Sequence, residues 1–214
     1  MAASESDALR EKLMDAAIAH VPFDGWGDKA LAAAARDLGI DPALARNAFP
    51  GGAIEMIEHH SQLGDRRMVA AFEQADKTGL KLREKVALAI RLRLSANAAH
   101  REAIRRALTI LALPVHAPLA ARLLYRTVDA IWYGLGDRST DYNFYTKRML
   151  LAGVYSTTVL FWINDKSEQG ADTWGFLDRR IAQVMLIPQA MGRLGKLAGK
   201  LPDPMRILRR RVAR

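Results

Sequence analysis

The pattern of hydrophobic and polar positions predicts helices along nearly the whole chain. Helix-forming residues dominate, and no sustained alternation of β-branched residues marks a strand. We therefore predict an all-α fold of about ten helices. Their approximate ranges are 5–20, 28–38, 42–48, 53–75, 80–96, 101–112, 119–133, 140–163, 173–187 and 189–200.

Glycine and proline mark several of the helix ends. Gly39 is placed to end the second helix, and Asp41 followed by Pro42 is a typical helix start. Pro188 is expected to separate the ninth helix from the tenth. With 214 residues, half of them hydrophobic, the chain can bury a large core. We divide it into an N-terminal part (1–52), a central part (53–187) and a tail (188–214).

The hydropathy pattern predicts no membrane-spanning helix and no secretory signal. Residues 149–163 form an uncharged apolar stretch of 15 residues, whereas a span needs about 20, so we interpret it as a buried helix. The first 13 residues alternate acidic and basic side chains, unlike a signal peptide. Without cysteine, disulfides and thiolate chemistry are excluded. We expect an intracellular protein.

Most of the net charge of +9 lies in the tail. Residues 190–214 hold eight Lys or Arg and one Asp, which leaves +2 for the rest of the chain. A helical wheel of 190–201 separates an apolar face from a basic one, as in helices that lie on membranes. Packing against the protein's own domain and binding to DNA remain alternatives. The candidate membrane-associating residues are Met191, Arg193, Leu194, Lys196, Leu197, Lys200 and Leu201.

Residues 30–50 resemble the N-terminal helix-turn-helix of the TetR repressor family. The turn at Gly39 and the closing Phe49-Pro50 carry the resemblance. In that family a Tyr and a Lys flanking the Phe touch the DNA backbone; here Arg46 and Gly52 hold those positions. We interpret the motif as vestigial and expect no sequence-specific DNA binding. A ligand-responsive TetR-type repressor is the alternative function.

The segment from residue 132 to residue 148 concentrates aromatic and charged side chains around a helix joint. Gly134 and Gly136 end one helix there, and Asp137 or Ser139 can cap the next. Such a mixture is typical of the centre of a protein interface, although the rings could equally fill the core. The candidate partner-docking residues are Trp132, Tyr133, Asp137, Asp141, Asn143, Tyr145, Lys147 and Arg148.

The same segment, continued through 151–158, 165–167 and 172–180, resembles the C-terminal signature of a helical, lipid-binding accessory family of ubiquinone biosynthesis. The resemblance implies a TetR-like bundle, a homodimer, and a lipid cavity for a quinone precursor or phospholipid. It also implies docking to the di-iron demethoxyubiquinone hydroxylase. The location implied is cytoplasmic and peripheral, on the inner face of the membrane, or on the matrix side in a mitochondrion. The candidate lipid-binding residues are Leu151, Val154, Tyr155 and Phe161.

No motif gives catalysis or a metal a visible site. Residues 137–148 depart from a calcium loop at Tyr142, where Gly is needed, and at Arg148, where Glu is needed. Glu55 and His59 share a helix face, but a metal requires further ligands from elsewhere. We therefore expect a protein that is not an enzyme and has no cofactor.

Overall fold

The computed structural model describes residues 2–137 and 142–198, with side chains for 5–137 and 145–184. These residues form nine α-helices and three short 3₁₀ turns, and no strand occurs among them. The helices are α1 (Ala2–Asp24), α2 (Asp28–Asp37), α3 (Pro42–Ala48), α4 (Gly52–Gln74), α5 (Leu82–Ser95), α6 (Arg101–Leu111), α7 (Ala117–Gly134), α8 (Tyr142–Trp162) and α9 (Ala171–Ala198). The predicted all-α class is confirmed.

The predicted ends of α2 and α3 are confirmed. Gly39 has a φ of 64°, which an L side chain rarely adopts, and the next amide, of Ile40, donates to the carbonyl of Ala35 at 2.8 Å. The Asp41 carboxylate accepts from the amides of Ala43 and Leu44 at 2.6 and 3.2 Å, and so caps α3.

The predicted helix break at Pro188 is wrong. Helix α9 runs without interruption from Ala171 to Ala198 with the proline inside it, so the described residues contain nine helices and not ten. Proline removes a single backbone donor, and helix-forming neighbours on both sides continue the helix. Helix α1 similarly extends past His20 and through Pro22 to Asp24.

Two hydrophobic cores lie along the bundle. The first joins α1, α2 and α3 to α4, α6 and α7, around Leu13, Met14, Leu31 and Phe49. The second lies between α4, α5, α7, α8 and α9, and its large buried side chains include Phe72, Ile90, Ile131, Trp132, Trp162 and Leu177. Helices α4 and α7 contribute residues to both cores and so connect them.

Candidate ligand-binding cavity

A cavity of about 390 Å³ lies between helices α4, α5, α6, α7 and α8. Its wall is mainly aliphatic, because the helices that surround it turn large hydrophobic side chains inward. The main apolar lining residues are Ile57, Leu94, Ile104, Leu108, Leu123, Leu124, Val159 and Trp162. Two further lining residues, Ala112 and Leu160, are exposed. The cavity therefore opens to solvent between the end of α6 and the end of α8.

One wall of the cavity is polar. The Arg93 side chain donates from Nε to Asp65 Oδ1 at 3.0 Å and from Nη2 to the carbonyl of Ser61 at 3.1 Å. The Thr127 hydroxyl donates to the Asp65 carboxylate at 2.9 Å. Burial raises the pKa of Asp65, and the neighbouring Arg93 charge opposes that rise.

Gly64 explains how a buried arginine fits between α4 and α5. A Cβ atom at this position would lie 2.5 Å from the Arg93 guanidinium carbon. Any larger residue at position 64, in the middle of α4, would therefore displace the guanidinium. The glycine lets the charged group cross the helix surface and reach Asp65.

Two residues of the cavity wall, His60 and Trp162, have a buried polar nitrogen without a hydrogen-bond partner among the described residues: His60 Nε2 and Trp162 Nε1. Burial, together with the charge of Arg93, lowers the pKa of His60 to about 3. The imidazole is therefore neutral at physiological pH. Buried polar atoms are normally satisfied, so both nitrogens are candidates to bond a carbonyl or hydroxyl group of a ligand.

Of the four predicted lipid-binding residues, one lines this cavity. Tyr155 contributes its side chain, and burial raises the pKa of its phenol, which is therefore neutral. Leu151 and Val154 lie in the second core. Phe161 is 37% exposed and stacks on Phe176 with ring centroids 4.6 Å apart, so it lies outside the lining. Helical phase explains the difference, since residues 155, 156, 159 and 160 share the cavity face of α8.

The predicted docking surface is only partly exposed. Trp132 is 7% exposed and belongs to the second core, so the expectation that it is an exposed anchor is wrong. Its neighbour Tyr133 is 67% exposed and Tyr145 is 68% exposed. Helical spacing accounts for this, because adjacent residues point in directions about 100° apart.

Three charged members of the docking set that the structure describes, Asp137, Lys147 and Arg148, are ion-paired. Arg148 is buried and binds Asp129 at 2.7 Å, and Lys147 binds Asp137 at 3.4 Å. The Arg148 pair joins α8 to α7, and the Lys147 pair joins α8 to the segment that follows α7. Asp141 lies outside the described residues, and only the backbone of Asn143, in α8, is described.

The side chains considered for a metal site bind other groups. Glu55 pairs with Arg10 at 2.8 Å and accepts from the amide of Gly51. Glu58 pairs with Arg122 and Arg126. In the described part of the chain, no group of three or more His, Asp or Glu residues is arranged to hold a metal ion.

The predicted membrane-associating residues fall largely outside what the structure describes. Met191, Arg193, Leu194, Lys196 and Leu197 lie in the backbone of α9, without described side chains, and Lys200 and Leu201 lie beyond it. Within the described ranges, no single helix has both the length and the hydropathy to cross a membrane. One bent pair, Ala98–Leu111 with Pro114–Gly134, passes that test at an angle of 95°.

An all-α bundle with a helix-turn-helix-like N-terminal part and an internal cavity defines a TetR-like fold. The crystal structure of the TetR transcriptional regulator from Nitrosomonas europaea superposes on this chain with a TM-score of 0.66 and 22% sequence identity, covering 83% of this chain and 98% of the other. A likeness at this identity establishes the fold alone. The predicted TetR-like fold is thus confirmed.

The sequence comparisons find similarity to one family of proteins. Residues 117–188 match the COQ9 family model. The mitochondrial ubiquinone biosynthesis protein COQ9 of Homo sapiens is 35% identical over 190 residues, covering 84% of this chain and 58% of that protein. Its Drosophila melanogaster counterpart is 32% identical over 191 residues, covering 87% and 58%. The chain is thus similar to proteins of the COQ9 family, and it spans somewhat less than two thirds of the length of these relatives.

Proposed function

We propose that this chain is a non-catalytic lipid-binding accessory protein of ubiquinone biosynthesis. It binds an isoprenoid quinone precursor or a phospholipid in the cavity and presents it to a di-iron demethoxyubiquinone hydroxylase at the membrane. The observation that carries the proposal is the apolar cavity in the middle of a bundle whose relatives are named ubiquinone biosynthesis proteins.

The chemistry of the cavity suits an amphiphilic ligand. Its volume of about 390 Å³ lies at the lower end of sites that hold drug-sized molecules. A longer lipid tail would therefore extend through the mouth beside Ala112 and Leu160. The neutral His60, the Tyr155 phenol and the Trp162 indole offer hydrogen bonds to a quinone carbonyl or a phenol hydroxyl.

Docking to the hydroxylase is assigned to the exposed part of the α7–α8 joint. Tyr133 and Tyr145 supply large exposed side chains there, and the ion pairs of Lys147 and Arg148 hold the joint in one orientation. Rigid aromatic anchors of this kind dominate interface energies.

A homodimer and a peripheral membrane location complete the proposal. Met149 is exposed on α8, away from the cavity lining, which gives a second copy an apolar side chain to pack against. The basic residues of the tail, 190–214, attract anionic lipids. The relatives are mitochondrial by name, which supports an organellar location, and in an organelle we propose the matrix side of the membrane.

Organic extraction of the purified chain followed by mass spectrometry tests the proposal. We expect a stoichiometric lipid in the native protein. Ala120 lines the cavity, whereas Ala121 is exposed and does not. Ala120→Phe should fill the space and abolish the lipid, and Ala121→Phe, the matched control, should retain it. A native chain that yields no stoichiometric lipid would refute the proposed function.

A further inference from the structure

The corner between α6 and α7 exposes apolar side chains at a sharp bend. Helix α6 ends at Leu111, the 3₁₀ turn Pro114–His116 follows, and the two arms meet at 95°. Leu113 is 51% exposed and Val115 is 76% exposed. Ala112, which precedes Leu113, and Pro114, which lies between the two, are exposed as well. The corner is therefore an apolar vertex of the molecule.

The charged residues that flank the vertex along the chain are all arginines. No Lys, Arg, Asp or Glu lies between Arg106 and Arg122, and residues 103–128 contain four arginines and no carboxylate. Glu102 and Glu58, from outside this range, pair with these arginines, and two positive charges remain in excess. The apolar tip suits the acyl layer of an anionic bilayer, and the arginines that flank it along the chain suit the headgroup layer.

The vertex is continuous with the mouth of the cavity. Leu111 and Ala112, which immediately precede Leu113, line the cavity, and Ala112 is exposed at its opening. Ala120, on the other arm of the bend, also lines it. A surface that covers the vertex would therefore cover the opening.

We propose that the α6–α7 corner inserts Leu113 and Val115 into a lipid bilayer and is the port through which lipid enters the cavity; the port rests on the proposed function, whereas the insertion stands without it. A membrane suits the shape better than a protein partner does. A stable protein interface buries about 800 Å² on each side, and a vertex with two large exposed side chains offers far less. A fluid bilayer accommodates a small, protruding apolar surface of this kind.

Site-specific fluorescence on the full chain tests the insertion. The sequence has no cysteine, so Val115→Cys carries an environment-sensitive fluorophore at a single position. Vesicles of phosphatidylcholine and phosphatidylglycerol should shift its emission to the blue, and brominated acyl chains should quench it. The control is Phe23→Cys, since Phe23 is 86% exposed at the end of α1, on another part of the surface, and its label should remain in water.

The proposal is overturned if the label at residue 115 stays in water while the chain floats with the vesicles, or if the chain does not bind them. A label already buried without vesicles, in a concentration-dependent way, would assign the corner to a second copy and overturn it too. We expect Val115→Asp to weaken vesicle binding about tenfold, and Phe23→Asp to leave it unchanged.

The role of the corner as the entry port is tested separately from the presence of a lipid in the cavity. Val115→Asp should slow transfer of a fluorescent lipid from vesicles to the chain, while the lipid extracted after long incubation equals that of the native protein. Equal transfer rates would refute the port. If the native chain contains no lipid yet residue 115 inserts, the proposed function fails and the membrane contact stands.

Discussion

Arg93 on α5, which lines the cavity, donates to Asp65 on α4 at 3.0 Å, and both side chains are buried. Thr127 on α7 donates to the same carboxylate. Three helices that enclose the cavity are thus joined through one carboxyl group. A buried charge is costly without a partner. The relative positions of these three helices therefore depend on Arg93, Asp65 and Thr127 together.

Replacing Arg93 by Met should destabilise the fold by about 3 to 5 kcal/mol, because it leaves the Asp65 carboxylate buried without its cation. Urea unfolding at neutral pH measures the change. The double variant Asp65→Asn/Arg93→Met removes both charges and should recover much of the loss. A single variant as stable as the native chain would show that the pair contributes nothing.

The loss in Arg93→Met should shrink as the pH falls. Burial already raises the pKa of Asp65 in the folded state, with Arg93 opposing the rise; without Arg93 it should rise further. The folded state then holds a proton that the unfolded state releases above its ordinary pKa, so stability increases as pH decreases through the raised value. Unfolding free energies at pH 7 and pH 5 check this. In the Asp65→Asn background the effect should vanish.

The pKa of His60 predicts the opposite dependence for the native protein. Its folded value of about 3 lies below the ordinary 6.5, so the unfolded state binds the extra proton below pH 6.5. Stability is fully present above that pH and falls by about 1.4 kcal/mol per pH unit as the solution becomes more acidic. His60→Gln should flatten the slope between pH 6.5 and pH 5. An unchanged slope would mean that the imidazole is protonated in the folded protein.

Trp132 and Tyr133 are neighbours with different expected roles. Trp132→Ala should cost about 3 to 5 kcal/mol of stability, because the ring is buried. Tyr133→Ala should leave the melting temperature nearly unchanged and weaken hydroxylase binding by about 2 kcal/mol if the exposed ring is an anchor. Thermal melts and pull-downs on the same two proteins separate core from interface. Normal hydroxylase binding by Tyr133→Ala would remove the docking role of that residue.

The helix-turn-helix-like part should bind DNA weakly and without sequence preference. Arg46 is exposed on α3, but Gly52 has no side chain where TetR repressors place a phosphate contact. Fluorescence polarisation with a labelled duplex should show an affinity that falls steeply with added salt, as for binding by charge alone. Selective binding at physiological salt, in the presence of excess unrelated DNA, would favour the repressor alternative.

Local chemistry allowed the helices to be predicted from the sequence. Gly39 and the Asp41-Pro42 pair determine helix ends through φ and through a side-chain cap, and both act within a few residues. Pro188 gave the wrong result because a proline costs one hydrogen bond and favourable neighbours can outweigh that cost. The same limitation applies to α1, which continues through Pro22.

The cavity was predicted only in outline, since its wall depends on contacts between residues far apart in sequence. The uncharged stretch 149–163 indicated a buried helix, but which residues face the cavity follows from the rotation of α8 against α4 and α7. The sequence therefore included Tyr155 and missed Trp162. Nothing in the sequence around His60 indicates ligand binding, and only its unpartnered nitrogen in the fold points to that role.

Quenching of tryptophan fluorescence by a short-tailed ubiquinone analogue is a direct test for a quinone in the cavity, because Trp162 lies in the cavity wall and is 1% exposed. Quinones that enter the cavity come into contact with this ring. We predict saturable quenching at a ratio of one quinone per chain, retained in Ala121→Phe and lost in Ala120→Phe. Quenching that never saturates, or that is equal in the two variants, would contradict a lipid site in this cavity.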